Sequence, residues 1–578
     1  MRSLSVASWA LLAASGLVNG QESDLTSFKN PILPGWHSDP SCIYVPEPED
    51  TFFCAASTFL AFPGIPIYAS KDLVNWKLAS HAWNRVEQFP GYFEESSDQS
   101  QGIYAPTLRE HNGTFYLVTS YIYDGGNQGT VFKTDDLYDD EAWSDPVLFD
   151  ALAIDPDLFW DDDETVYLTS QGIILQNIDL ETGETTEPTT IWEGTGGVWP
   201  EGPHMYKKDG YYYLMIAEGG TAMDHSETIA RSKEITGPYE SFEGNPILTN
   251  RGTEEYFQTV GHADLFEDKD GNWWGVALAT RCGPDYKVFP MGRETVLYPA
   301  TWEEGEWPVL DQVQGLMTDA PLPPRNRNIT RGSGPFVQAP DVHDFEPGSD
   351  IPPHFVYWRA PPADTFAIST AEDPHPNTLR LSPTQANLTG SPDFTGKDGL
   401  SFISRRQEHS IFNFSVDLFF TPEAEGDEAG ATFFLTQFEH IDMGVVLLPL
   451  ENSTTDELAP HFRFGSEGRG NADDNQIPEG SVTPIPADWL DESGDIAVRL
   501  QVQAMNTTHL EFRAMPQDDE DKIPIFGHAL AVLLSGGQGK FTGSLVGVYA
   551  TCNGGEKCGA DAHFGRWRYD GLYQEIGD

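Results

Sequence analysis

Cysteine is scarce, with 5 in 578 residues. That is too few for a disulfide-stapled scaffold, and the spacings match no structural zinc pattern, so packing must hold the fold. Cys552 and Cys558 flank a Gly-Gly turn, and Cys42 and Cys54 fall on neighbouring predicted strands. Each pair is either a bridge or two buried thiols, with Cys282 left over. Basic residues are sparse too: 33 Lys and Arg stand against 90 Asp and Glu, a formal net charge of −57. Such a field repels phosphate backbones and anionic lipid, which argues against nucleic acid or membrane partners. After the leader no apolar run approaches the about 18 residues that would span a bilayer. Long amphipathic helical periodicity is also missing, so the fold class is all-β.

Arg2, the apolar stretch Val6 to Val18 and Gly20 before Gln21 have the layout of a cleaved secretion signal over residues 1–20. The mature protein is therefore expected to be secreted and extracellular. Sequons at Asn112, Asn328, Asn387, Asn413, Asn452 and Asn506 are compatible with a eukaryotic secretory route. The length exceeds what one core supports, so two or more domains are expected. Aromatics make up 12% of the chain, including 15 Trp and 21 Tyr, a supply of flat faces suited to neutral sugars.

Five times in the first 310 residues a polar element followed by Pro or a small residue leads into a turn and then an aromatic run. The copies run from Asp39-Pro40 to Phe52-Phe53, from Ala105-Pro106 to Phe115-Tyr116, and from Asp155-Pro156 to Val166-Tyr167-Leu168. The last two run from Glu201-Gly202-Pro203 to Tyr211-Tyr212-Tyr213-Leu214 and from His262-Ala263-Asp264 to Trp273-Trp274. Turns such as Asn112-Gly113 and Asp209-Gly210 accept positive φ and mark hairpins. The starts recur every 46 to 66 residues, the period of four-stranded blades, so a five-bladed β-propeller is predicted over residues 21–318. The competing arrangement is five unrelated hairpins in a sandwich. In a propeller the first strand of each blade lines the channel. Asp39, Asp155, Glu201 and His262 then converge on the axis, with Ala105 the exception.

From Asp319 to Pro340 the chain is rich in Pro, Arg, Asn and Gly and reads as a linker. Beyond it, residues 341–578 return to alternating strands such as Ile411–Phe420 and Ala431–Leu435. A jelly-roll-type β-sandwich fits them. It clusters no acids, so its expected role is structural, with a contribution to the rim of a site in the first domain.

Three carboxylates at a channel axis suit glycosidic-bond hydrolysis, which needs a proton donor and a carboxylate that activates water or attacks directly. An inverting pair stands about 6.5–9.5 Å apart to admit the water. Glu201, in Trp199-Pro200-Glu201-Gly202-Pro203-His204, is partly desolvated by its neighbours, which raises its pKa and suits a donor. Asp39, in Trp36-His37-Ser38-Asp39-Pro40-Ser41, has polar neighbours that suit an ionised base; the alternative is a turn residue.

These motifs, with Asn30-Pro31-Ile32-Leu33-Pro34-Gly35, Ser70-Lys71-Asp72-Leu73-Val74-Asn75-Trp76, Ala217-Glu218-Gly219-Gly220-Thr221, Gly261-His262-Ala263-Asp264 and Gly292-Arg293-Glu294-Thr295, resemble those of glycoside hydrolase family 43. Arg405-Arg406-Gln407 and Val546-Gly547-Val548-Tyr549-Ala550-Thr551 resemble the β-sandwich of its xylosidase and arabinofuranosidase branch. The resemblance implies an inverting mechanism with Asp39 as general base, Glu201 as general acid and Asp155 tuning and orienting the acid. It implies that Arg293 donates to sugar hydroxyls, the alternative being a salt bridge with Glu294 or another acid. Phe59 would pack on the sugar, and Trp36, Tyr104, Trp160 and Tyr167 are candidate wall aromatics. His262 is either a core histidine or a metal ligand. No cofactor is needed for the chemistry, and a structural cation such as Ca2+ is expected near the axis.

Two departures from the family pattern, Tyr104 where many relatives have Trp and Asp157 where the xylosidase-like pattern has Ser, are expected to border the pocket. They favour an exo-acting α-L-arabinofuranosidase, a monomer acting on plant cell-wall arabinoxylan or arabinan. The alternatives are a β-D-xylosidase on xylo-oligosaccharides, a non-catalytic carbohydrate-binding protein, and a retaining propeller glycosidase.

Overall fold

Each polar–turn–aromatic repeat closes as an antiparallel hairpin and gains two outer strands, giving five separate four-stranded sheets. The two-residue turns Asn112-Gly113 and Asp209-Gly210 are left-handed throughout, at φ 53° and 81° and at φ 52° and 71°, the twist that tight hairpins require. The structure is a computed structural model describing residues 26–46, 50–89, 91, 95–389, 399–450, 457–468, 470–490, 495–517 and 524–577. The leader segment and Asn452 lie outside the described residues.

The innermost strands of blades 1 to 5 are Ser41–Val45, Gly102–His111, Asp157–Trp160, Glu201–Lys208 and Phe257–Glu267. The ring is closed by the N-terminal segment. Phe28–Lys29 pairs with Leu316–Met317, and the Asn30 side chain donates to the carbonyls of Leu297 and Gln314 at 3.0 Å each. Segment 319–340 is strapped to the outer edge of blade 1, where Val337 N donates to Trp76 O at 2.9 Å and Leu78 N to Pro335 O at 3.0 Å.

The C-terminal part stacks two sheets, one of eight strands and one of seven that a propeller segment extends to eight. Strict alternation along Ile496–Ala504 turns Ile496, Val498, Leu500 and Val502 into the shared core, as one-sided burial of a sheet demands. One sheet does not end within the sandwich. Its edge strand Val356–Trp358 pairs with Ala61–Phe62, a segment of blade 1, and around this seam Trp36, Phe59, Leu60, Trp358, Phe402 and Leu545 form a core shared by both halves. Cys42–Cys54 and Cys552–Cys558 are bridged, and Cys282 is a free thiol.

Candidate active site

The inner strands share a backbone device at the tunnel mouth. Asp39, Ala105, Asp155, Gly202 and His262 all take left-handed φ, at 51°, 31°, 57°, 54° and 52°, and all but His262 precede Pro. In blades 2, 4 and 5 this residue sits where the inner-strand ladder shifts register, between Tyr104 and Thr107, Glu201 and His204, and Gly261 and Asp264. Such bulges re-aim side chains. The equivalent position in blade 4 is thus Gly202, and the expectation that Glu201 occupies it is corrected by one residue. A side chain at Gly202 would be strained by the left-handed backbone and would press its Cβ to 3.1 Å from the His262 ring.

Asp39 is buried and held on three sides. Arg293 donates to its two oxygens at 2.9 and 3.3 Å, and Ser57 Oγ donates at 2.6 Å. His262 Nδ1 lies 4.0 Å away. Burial alone would raise its pKa, but Arg293, His262 and the Ser57 hydroxyl outweigh burial and hold it below the usual value. Asp39 is therefore the ionised member. Arg293 pairs with Asp39 and not with its neighbour Glu294, whose partner is Arg281 at 2.6 Å.

The other two carboxyls are shifted the opposite way. Burial first, then the charge of Asp39, pushes Glu201 upward, against Arg293 and a 3.1 Å hydrogen bond from Gln171 Nε2. Burial first, then repulsion from Glu201 and Asp39, pushes Asp155 upward against His262 and the Gly202 N–H, which donates to it at 3.1 Å. Repulsion is mutual, so the two titrate as a pair that retains a proton beyond the ordinary carboxylate range. The site thus holds one ionised carboxylate beside a proton-holding pair, the division of labour that acid–base hydrolysis needs.

The wall is aromatic and shared between the halves. Phe59 is buried, 4.7 Å from Tyr104, 6.1 Å from Trp36 and stacked at 6.3 Å on Phe541 of the sandwich. Arg293 lies over Phe59 and Phe541 at 5.6 and 5.4 Å, and its Nε donates to the Phe541 carbonyl at 3.1 Å. Trp36 backs the wall and does not face the site: it is 1% exposed, under Trp358. Trp160 and Tyr167 are not brought to the site. Strand Asp157–Trp160 runs away from Asp155 at about 3.3 Å per residue. Trp160 ends up stacked on His111 at 4.9 Å, while Tyr167 packs on the core of Ile173 and Leu175.

Asp157 does not border the pocket either. It is 1% exposed and sits deeper on the axis, where Arg109 reaches Asp157 at 2.9 Å and Asp264 at 2.8 Å. His204 Nδ1 lies 3.0 Å from Arg109, and Tyr206 and Ser41 donate to Asp264 at 2.9 and 2.7 Å. The guanidinium of Arg109 thus holds both of these deeper carboxylates. Among the described residues no set of three metal-type ligands forms at His262. Such a set forms only at Asp341, His343 and His354 in the sandwich, where Arg405 and Trp567 already hold Asp341 at 2.8 and 3.1 Å. Sequence reasoning did not single out Ser57, Gln171, Arg109 or Phe541. Ser57 and Gln171 lie beside motif residues, whereas Arg109 and Phe541 sit in no motif.

A propeller that gathers an ionised carboxylate, an arginine and a proton-holding carboxyl pair at its tunnel mouth is a glycoside hydrolase. Residues 28–308 match the model of Glycosyl hydrolases family 43, and residues 342–570 match the Beta xylosidase C-terminal Concanavalin A-like domain. The chain belongs to glycoside hydrolase family 43. It is 38% identical over 422 residues to a non-reducing end alpha-L-arabinofuranosidase of Bacteroides ovatus, covering 72% of this chain and 75% of the relative. It is 33% identical to a xylosidase/arabinosidase of Butyrivibrio fibrisolvens, over 91% of this chain and 96% of that one. A solved Bacteroides ovatus family 43 structure from a xyloglucan locus superposes with a TM-score of 0.78 at 31% identity, covering 94% of this chain and all 100% of that one.

Proposed function

We propose that the chain is a secreted, inverting, exo-acting α-L-arabinofuranosidase that removes arabinose from arabinoxylan or arabinan. The observation that carries the mechanism is the split at the tunnel mouth, with Asp39 held ionised by Arg293 while Glu201 and Asp155 hold a proton. Asp39 takes a proton from a water whose oxygen bonds to the anomeric carbon. As the glycosidic C–O bond breaks, Glu201 passes its proton to the leaving oxygen. Asp155, bound to the Gly202 N–H, disfavours ionisation of Glu201 and steadies the backbone next to it. Arg293 keeps Asp39 charged and, with its other N–H groups on Asp39, Thr221 and the Phe541 carbonyl, offers its one remaining N–H to a sugar hydroxyl. No cofactor enters these steps.

The 38% identity to an arabinofuranosidase supports the choice of sugar. The Butyrivibrio relative, whose name pairs xylosidase with arabinosidase, supports β-D-xylosidase action as the second reading. Secretion is supported by the apolar leader, the two disulfides and the exposed sequons Asn112, Asn328 and Asn506. We take the enzyme to act as a monomer on plant cell-wall polysaccharide. Initial rates on p-nitrophenyl α-L-arabinofuranoside and p-nitrophenyl β-D-xyloside test the choice. The arabinoside is expected to be faster, and a strong preference for the xyloside would replace the first reading by the second.

A further inference from the structure

Trp199 is the single exposed tryptophan among the described residues, at 66%, and there its ring stacks on no other. It sits two positions before Glu201, and its backbone is left-handed, with φ 55°, an unfavourable conformation for a bulky residue. The peptide units on both sides are fixed. Gly219 N donates to Val198 O at 2.8 Å, and Gly172 N donates to Pro200 O at 2.9 Å. The loop before it is gripped by the buried Glu218 carboxylate, which accepts from Thr195 N at 3.0 Å, Gly197 N at 2.9 Å and Thr228 Oγ1 at 2.6 Å. Strain and an anchored loop thus hold an apolar ring out in water beside the acid.

The ring has a facing wall. Val198, Trp199 and Glu201 line a cleft of about 550 Å³ whose other side is built by Asn471, Lys540 and Phe541 of the sandwich. Of the three carboxylates only Glu201 lines it; Asp39 and Asp155 do not. A general acid delivers its proton to the leaving oxygen, so the leaving group goes into the space that Glu201 faces, and Thr221 and Phe541 of this cleft also contact Arg293 and so join it to the pocket around Asp39.

We propose that Trp199 and the facing sandwich loop form the platform for the leaving-group sugar, a neutral pyranose unit of a xylan-type chain. The indole supplies a flat apolar face for the C–H side of the ring. Lys540 and Asn471 supply hydrogen bonds to its hydroxyls. The inference rests on Glu201 being the acid, as proposed above. It holds for arabinoxylan and for xylo-oligosaccharides, where xylose is the leaving unit, and it selects arabinoxylan over arabinan within the first reading.

The test compares leaving groups. Wild type, Trp199→Ala and Trp199→Phe are assayed on α-L-arabinofuranosyl fluoride and arabinosylated xylotriose, and on β-D-xylosyl fluoride and xylobiose. Fluoride carries no leaving sugar. Trp199→Ala is expected to lower kcat/KM on the oligosaccharide about tenfold, mainly through KM, while the matching fluoride changes by less than about twofold; one aromatic contact has that size. Trp199→Phe should restore most of the loss. A loss on the oligosaccharide carried by kcat, with a shifted basic limb of its pH profile, would make Trp199 a support for Glu201 and overturn the platform, because fluoride departs with little help from an acid; equal losses on fluoride and oligosaccharide, or no loss on the oligosaccharide, would overturn it too. A wild type inactive on all four substrates would sink the proposed function, and the platform with it.

Discussion

The inner strands carry two clusters of buried charge, one at the tunnel mouth and one just below it. At the mouth Asp39 and Glu201 share Arg293, and Asp155 has only His262 as a positive neighbour. Below it Asp157 and Asp264 share Arg109, with Ser41, Tyr206 and His204 filling the remaining positions. Asp155 is buried much as Asp264 is, and Glu201 only partly, yet the outcomes are opposite. Asp264, fully buried, is opposed by burial but brought down to about 2 by Arg109, His204 and its hydrogen bonds, while Asp155 and Glu201 are pushed up. The ratio of cations to carboxylates, more than depth, decides which acids keep a proton. A shortage of positive charge leaves protons on the carboxyls at the mouth; fuller compensation makes the layer beneath it a strut.

Four experiments can break or sharpen this contrast. The largest effect is expected at the mouth, where Glu201→Gln should lower kcat about 10²- to 10⁴-fold with unfolding unchanged; an active variant would remove Glu201 from the acid role. Next comes the strut. Arg109→Met strands two buried carboxylates and should cost about 3–5 kcal/mol in urea unfolding, and a variant as stable as wild type would show that the lower cluster is not a charge balance. Asp264 adds a pH signature to wild-type stability: its folded pKa is depressed, so its contribution is present above about pH 4 and is lost as pH falls toward 2.

The smallest effect is a shift of profile. The kcat/KM curve should be a bell whose acidic limb belongs to Asp39, below the ordinary carboxylate range, and whose basic limb belongs to the raised pair. Asp155→Asn removes repulsion on Glu201, so Glu201 gives up its proton more easily and the basic limb moves to lower pH. A stationary limb would mean that Asp155 acts through geometry alone.

Much of this arrangement was legible in the chain. Asp39 and Asp155 could be found because each precedes Pro at the start of a repeat, and the repeat period gave the propeller and hence their convergence. Glu201 was found by its motif but placed one step off. A bulge shifts which residue takes the left-handed conformation, and a bulge leaves no mark on the period. Trp160 and Tyr167 look like wall aromatics in the sequence, but Trp160 lies at the far end of its channel strand and Tyr167 on the next strand out, and an aromatic in a repeat says nothing of depth. Phe541 and Arg109 were not visible. Phe541 reaches the site only because the halves dock as they do, and Arg109 looks like any basic residue until two acids from other blades close on it.

The pairing of Ala61–Phe62 with the edge of the sandwich sheet bears on how such an enzyme can be re-engineered. Here a strand crosses the boundary that sequence composition draws between a catalytic module and an accessory one. Cutting at residue 340 would therefore bare a row of backbone amides and the aromatic seam behind Phe59, and would strip the sugar pocket of one wall. Grafting this propeller onto another carrier would have to bring along the partner sheet that completes it.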